Sequence, residues 1–155
     1  MPIIASTIVE VCVFRFRKDA PEFLLLQRSP DEKIYPGLWQ LVGGSIDDDE
    51  KAYRAALREL KEETGFVPML FWVVPHVSSF YDPAYDSMNL TACFAAQVEP
   101  DSEPVLSGEH QRYEWLRFES ARQRLVWPGQ RQALLVVHDY VVGGEEAERV
   151  TRIPL

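Results

Sequence analysis

Residues 44–66 read GSIDDDEKAYRAALRELKEETGF, and the reading of the fold starts there. Glu50–Thr64 contains no glycine or proline and is dominated by Ala, Leu, Glu, Arg and Lys, which predicts a helix. Asp47 or Asp48 is placed to cap it, and the acids at its start suit the positive end of the helix dipole. Gly65 stands just past its C-terminus, where a left-handed residue ends many helices. Ala52, Tyr53, Ala56, Leu57 and Leu60 form an apolar stripe. Glu59, Glu62 and Glu63, spaced i, i+3 and i+4, fall within about a right angle of one another, with Glu59 and Glu63 bordering that stripe. Like charges so spaced destabilise an isolated helix, and a solvated acidic face is the plain reading. Carboxylates at the margin of a buried face, opposite the strand end Gly43-Gly44, instead suit a cluster of hard oxygen ligands. Magnesium takes such ligands while keeping several waters.

Outward from this helix the chain is mostly strand. Ser6–Arg17 and Glu22–Arg28 are rich in β-branched and aromatic or aliphatic residues and read as strands. Residues 29–37 carry two prolines and three charges and read as a loop, followed by a short strand, Leu38–Val42, running into the paired glycines. Leu70–Tyr81 and Met88–Val98 read as two long strands around a turn at Asp82-Pro83, and Arg112–Phe118 as a further strand. Gly129–Val142 reads as an amphipathic helix with Ala133, Leu134, Val137 and Tyr140 or Val141 on one side. The tail from 143 is charged and reads as frayed. The pattern predicts one α/β (or α+β) domain over 1–155, a mixed sheet between helices.

With 155 residues, 46% of them hydrophobic, the chain can bury a proper core. Its longest apolar runs are too short to span a bilayer, and the N-terminus has no basic segment ahead of an apolar core, so a cytoplasmic address is expected. Cys12 and Cys93 lack metal-type spacing and read as buried thiols on strands. The net charge of −8, from 24 acidic and 16 basic residues, disfavours nucleic acid as a partner, because the basic residues are scattered. An acidic protein acting on a small anion needs a cation between the two.

The sequence of residues 44–66 resembles the Nudix box, GX5EX7REUXEEXGU. Gly44, Glu50, Arg58, Glu59, Glu62, Glu63 and Gly65 meet its fixed positions, and Leu60 and Phe66 its two apolar ones. The resemblance implies a Nudix-type α/β/α sandwich and a small, nucleotide-like substrate cut at a diphosphate linkage. It implies Mg2+ as cofactor, with Mn2+ as a substitute, held by Glu59, Glu62, Glu63 and the Gly43 carbonyl. It also implies a catalytic set of Glu59, Arg58 and Glu109, with Arg58 orienting a glutamate by a charge-assisted hydrogen bond and Glu109, readable equally as a surface loop acid, sending a further carboxylate to the metals. Glu50 is implied to be a structural acid of the box.

Outside the box, Trp39-Gln40-Leu41-Val42-Gly43-Gly44-Ser45-Ile46 and Arg131-Gln132-Ala133 are similar to segments of bacterial dATP and dihydroneopterin triphosphate pyrophosphohydrolases. Residues 109–116, EHQRYEWL, are similar to a segment shared by those enzymes and by asymmetric diadenosine tetraphosphate hydrolases. The favoured expectation is hydrolysis of a nucleoside or pterin triphosphate to monophosphate and pyrophosphate. The alternatives are dinucleoside polyphosphate hydrolysis, ADP-ribose or sugar-nucleotide cleavage, and nucleotide binding without turnover. Arg28, Trp39 and His110 are the candidates for substrate contact, each also readable as surface or packing. Trp39, Tyr81, Tyr85 and Trp127 are aromatic enough to stack on a ring but read first as core or loop packing. Asp47-Asp48-Asp49 reads as a capping, solvated run. The sequence assigns no oligomeric state.

Overall fold

The computed structural model describes residues 1–155. Its central strand, β1 (Ile3–Arg17), is long enough to serve three partners. Along one edge it pairs antiparallel with β2 (Ala20–Arg28) through Phe14–Arg17 and with β4 (Val42–Ser45) through Ile8–Val11. Along the other it runs parallel to β6 (Ser87–Gln97), which pairs antiparallel with β5 (Leu70–Asp82). The short β3 (Trp39–Gln40) and β7 (His110–Leu116) both pair with β2, completing a seven-stranded mixed sheet. Lys18 and Asp19, both at positive φ, form the two-residue turn between β1 and β2, the twist that suits a tight hairpin.

Alternation along the strands separates two cores. Val9, Val11 and Val13 of β1 face α1 (Ala52–Thr64), joining Leu24, Leu26, Phe71 and Phe94 against Ala55, Ala56 and Leu60. Cys12 and Phe14 point the opposite way. There they meet α2 (Phe118–Arg124) and α3 (Pro128–Val136), which runs on into a wider, π-type segment over Val137–Val142, and α4 (Glu146–Val150). The sheet thus lies between helices, as the sequence predicts, and Cys12 and Cys93 are buried, unpaired thiols on β1 and β6. No helix is long and apolar enough to cross a membrane.

Several boundaries differ from the sequence reading. The first helix begins at Ala52, with no side-chain cap and no acid in its first turn. Glu50 is drawn out of the helix because its carboxylate binds the Arg58 guanidinium and accepts the Asp47 backbone N–H. Asp47 and Asp48 therefore do not cap. Burial on α1 is also shifted: Ala55, Glu63 and Thr64 are buried, whereas Ala52, Tyr53 and Leu57 are only partly covered. The expected strand Leu38–Val42 is split at Leu41, and Gly43-Gly44 lie within β4 rather than after it. β7 ends at Leu116, and Phe118 opens α2, a helix the alternation reading missed.

The tail is not frayed. Ala147 of α4 is buried, Val73 donates to the Thr151 carbonyl, and Ile153 donates to that of Phe71, so the tail adds a bridge to the outer edge of β5. Its charges face solvent while its few apolar residues reach the core. Tyr81 and Tyr85 stand exposed around the β5–β6 turn, and Trp127 is exposed and meets Tyr35 edge-on, so none of the three is core.

Candidate active site

The site forms where β4 passes the second half of α1. The approach is close enough that a Cβ at 44 would overlap the Glu59 carboxylate, so any side chain there would have to displace it. One residue earlier, the Gly43 backbone N–H donates to Glu63 Oε2 at 3.1 Å. This contact holds a buried carboxylate in place from the strand side.

Arg58 organises the helix side. Its Nε and Nη2 reach the two oxygens of Glu50 at 3.0 and 2.8 Å, Nη1 reaches Glu59 Oε1 at 2.9 Å, and Nη2 also donates to the Ser45 carbonyl at 2.9 Å. Glu50 fixes this guanidinium bidentately, the geometry in which arginine is hardest to replace. Its hydrogen bonds to Arg58 hold the Glu50 carboxyl below its ordinary range, and the arginine is raised further into its charged form. A fixed cation therefore turns one oxygen of Glu59 toward α1 and leaves the other free.

Glu63 is 2% exposed. Burial pushes its carboxyl up to about 8, opposed by the Gly43 N–H and reinforced by the charges of Glu59 and Glu109. Burial raises Glu59 as well, against the pull of Arg58. Glu62 points outward, with its side chain 57% exposed and its carboxylate 3.4 Å from Arg58 Nη1. Glu109, at the end of the loop before β7, is exposed, yet its charge acts on both Glu59 and Glu63. Glu63, Glu109 and His110 can bring ligand atoms within 4.8 Å of one another.

Arg28 raises no bond to these acids. It donates to the Ile34 carbonyl and to Glu32, while its charge lowers the carboxyl of Glu63 and the ring of His110. His110 is buried, which depresses its pKa to about 4 and keeps the ring neutral near neutral pH. Its Nε2 lies 3.0 Å from the amide nitrogen of Gln40, and its Nδ1 has no partner.

The structure thus brings together Gly43, Arg58, Glu59, Glu62, Glu63, Glu109 and His110, with Arg28 near enough to act through charge. It does not bring Trp39 to them. Trp39 alternates to the opposite sheet face, against the α2–α3 core, with the Arg124 guanidinium 4.9 Å from its ring. Its neighbour Gln40 is the residue that reaches His110, and sequence reading missed it. The alternation of β3 carried the signal, because only one of Trp39 and Gln40 can face α1.

The description of the NUDIX domain matches residues 7–136. The chain belongs to the Nudix family. With the family comes the reaction class, pyrophosphohydrolysis, and a general use of divalent metal. This Nudix chain is 33% identical over 128 residues to a dihydroneopterin triphosphate diphosphatase of Haemophilus influenzae, covering 72% of this chain and 75% of that protein. It is 31% identical over 127 residues to an octanoyltransferase of Myxococcus xanthus, covering 81% of this chain but only 35% of that longer protein. A solved Ap4A hydrolase from C. elegans superposes with a TM-score of 0.74 at 23% identity, over 90% of this chain and 99% of the other, a likeness of fold.

Proposed function

We propose that this Nudix hydrolase cleaves a nucleoside or pterin triphosphate to its monophosphate and pyrophosphate, with Mg2+ as cofactor. The observation that carries the reading is Glu63. A carboxylate this buried, flanked by the charges of Glu59 and Glu109, has one backbone N–H and only the unbonded charge of Arg28 to offset them, and so calls for a further cation. An all-oxygen set of Glu59, Glu62, Glu63 and the Gly43 carbonyl fits a hard divalent ion. When bound, such an ion neutralises the diphosphate oxygens and favours ionisation of the attacking water.

The chain's own groups supply the rest. Arg58 is a positioning residue: pinned by Glu50, it holds one oxygen of Glu59 and leaves the other free, either for the metal or for a proton. Glu59 or Glu109 takes the proton of water as its oxygen bonds to phosphorus. The bridging P–O bond then breaks, and pyrophosphate leaves with the electron pair. Arg28, already beside Glu63 and His110, is placed to offset phosphate charge by turning from Glu32. The dihydroneopterin triphosphate diphosphatase relationship supports the triphosphate reading. The EHQRYEWL segment, whose first two residues stand at this site, is similar to a segment of both enzyme groups and does not separate them, so dinucleoside polyphosphate hydrolysis stands as the second reading.

The test is product analysis on dATP, dihydroneopterin triphosphate, diadenosine tetraphosphate and ADP-ribose, each with and without Mg2+. Monophosphate plus pyrophosphate from a triphosphate supports the first reading. ATP plus AMP from the dinucleotide, with triphosphates untouched, replaces it with the second. Ligand affinity with no metal-dependent product from any of them overturns both in favour of a binding module.

A further inference from the structure

The all-oxygen set does not use His110, the one nitrogen base at the site. This residue is 4% exposed, its Nδ1 is buried without a hydrogen-bond partner, and the ring stands among carboxylates. An orphaned buried ring nitrogen is costly unless something takes it up. One of its ring nitrogens and one oxygen each of Glu63 and Glu109 lie within 4.8 Å of one another, and Nδ1 is the nitrogen that Gln40 leaves unengaged. An ion about 2.1 Å from each of two opposed donors needs them about 4.2 Å apart, so the three side chains are within a small rotation of closing on one.

We propose that Glu63, Glu109 and His110 form a mixed nitrogen–oxygen metal site adjoining the carboxylate set, in which His110 Nδ1 is a ligand and Gln40 its positioning residue. Imidazole is a poor partner for Mg2+, which prefers oxygen, and a better one for transition ions, so this site binds Mn2+ in preference to Mg2+. Glu63 is shared between the two sets, which ties the second site to the first.

Gln40 decides which ring nitrogen is free. In a neutral imidazole one nitrogen donates and the other accepts. With its amide nitrogen toward Nε2, Gln40 leaves the proton on Nδ1. With the amide turned over, its oxygen accepts from Nε2–H and the Nδ1 lone pair is released. Metal-bound histidines are commonly oriented in this second way, by an acceptor on the far nitrogen. An amide can present either end, so the switch costs no backbone movement.

This inference rests on reading the carboxylates as metal ligands, and its test separates the two. The full chain is titrated with Mn2+ alone and examined by pulsed electron paramagnetic resonance for hyperfine coupling to an imidazole nitrogen. The expected result is a nitrogen coupling in the parent protein. In His110→Gln the coupling disappears while Mn2+ still binds through the carboxylates, roughly 10- to 100-fold more weakly. Mg2+ affinity, measured by competition, is expected to change far less.

Mn2+ binding without nitrogen coupling, or a coupling that survives in His110→Gln, overturns the mixed site and leaves the oxygen site standing. No Mn2+ binding to the folded parent protein overturns both. Gln40→Glu gives a second route should His110→Gln fail to fold. A carboxylate accepts from Nε2–H in its one orientation, so the coupling persists and the Mn2+-to-Mg2+ affinity ratio rises. An unchanged ratio removes Gln40 from the proposal.

Discussion

Two carboxylates, Glu63 buried and Glu10 half-buried, lie on opposite sides of the same sheet. Glu63 belongs to the α1 side, and Glu10, on β1, to the α3 side. Burial raises the carboxyl of both. Their companions differ. Glu10 accepts from the amide of Gln130 at 3.2 Å, among thiols and apolar side chains, with no charged group resolved against it. Glu63 has two further acids acting on it, against one backbone N–H and the charge of Arg28, which makes no bond to it. A neutral amide or a proton answers the need of Glu10, whereas the need of Glu63 grows with every neighbouring ionised acid. The first arrangement belongs to a core and the second to a cation site.

The sharpest break of this contrast is Glu63→Gln. It is nearly isosteric and removes a charge that burial and its neighbours disfavour. Metal-dependent turnover is expected to fall by orders of magnitude, roughly 10²-fold or more, while the metal-free protein at pH 8 becomes more thermostable. Function and stability then move in opposite directions, as expected where a strained charge is kept for chemistry. Near-normal turnover at limiting Mg2+ would remove Glu63 from the proposed site.

Arg58→Lys is the next largest. Lysine keeps the charge but cannot reach Glu50 bidentately while also holding Glu59 and the Ser45 carbonyl. Turnover is expected to fall about 10- to 100-fold, the usual scale for losing an orienting partner. Metal affinity should change less than turnover, which distinguishes misplacement of Glu59 from loss of a ligand. Equal losses in both would make Arg58 part of the metal site's electrostatic frame instead.

The same contrast governs pH. Glu63 has a folded-state pKa of about 8 against an ordinary 4.5, so between these values the folded protein holds more protons than the unfolded one. Its contribution is fully present below about 4.5 and is lost as pH rises through 8. His110, depressed to about 4 from 6.5, acts oppositely but has finished by pH 6.5. In a chelator, melting temperature is therefore expected to drop by several degrees between pH 6.5 and 8.5, and Mg2+ to recover most of that drop. A flat metal-free profile across this range would mean that Glu63 has found a counter-charge without the ion.

How much of this was legible in sequence follows the same division. Box residues are read from spacing alone, and the run of strand segments around two helical ones is enough to predict a mixed sheet between helices. The helix start at Ala52 was misread because propensity favours Glu50, while Arg58, eight residues on, binds it and pulls it out. The ordered tail was misread because its polarity hides one small buried residue, Ala147, and two backbone hydrogen bonds to β5. Gln40 and the Glu10–Gln130 pair were missed for a common reason. Each is a contact between residues far apart in sequence, 70 positions for Gln40–His110 and 120 for the other, and neither partner has a pattern of its own.

The smallest expected effect sharpens the comparison from the quiet side. Glu10→Gln replaces a carboxylate with an amide of the same shape facing Gln130, and turnover should be unchanged. Stability should shift by no more than about 1 kcal/mol, in the stabilising direction and more so at high pH, where the buried charge would otherwise form. Gln130→Ala does the reverse. It leaves Glu10 with no partner among apolar neighbours and is expected to cost about 1–3 kcal/mol, again without a change in the Mg2+ dependence of turnover. Chemical denaturation of both variants with and without Mg2+ checks the pair. If either variant altered metal affinity, Glu10 would be coupled through Gly43, its register partner on β4, to the strand that presents the site. The two carboxylates would then be one system across the sheet rather than a core acid and a site acid.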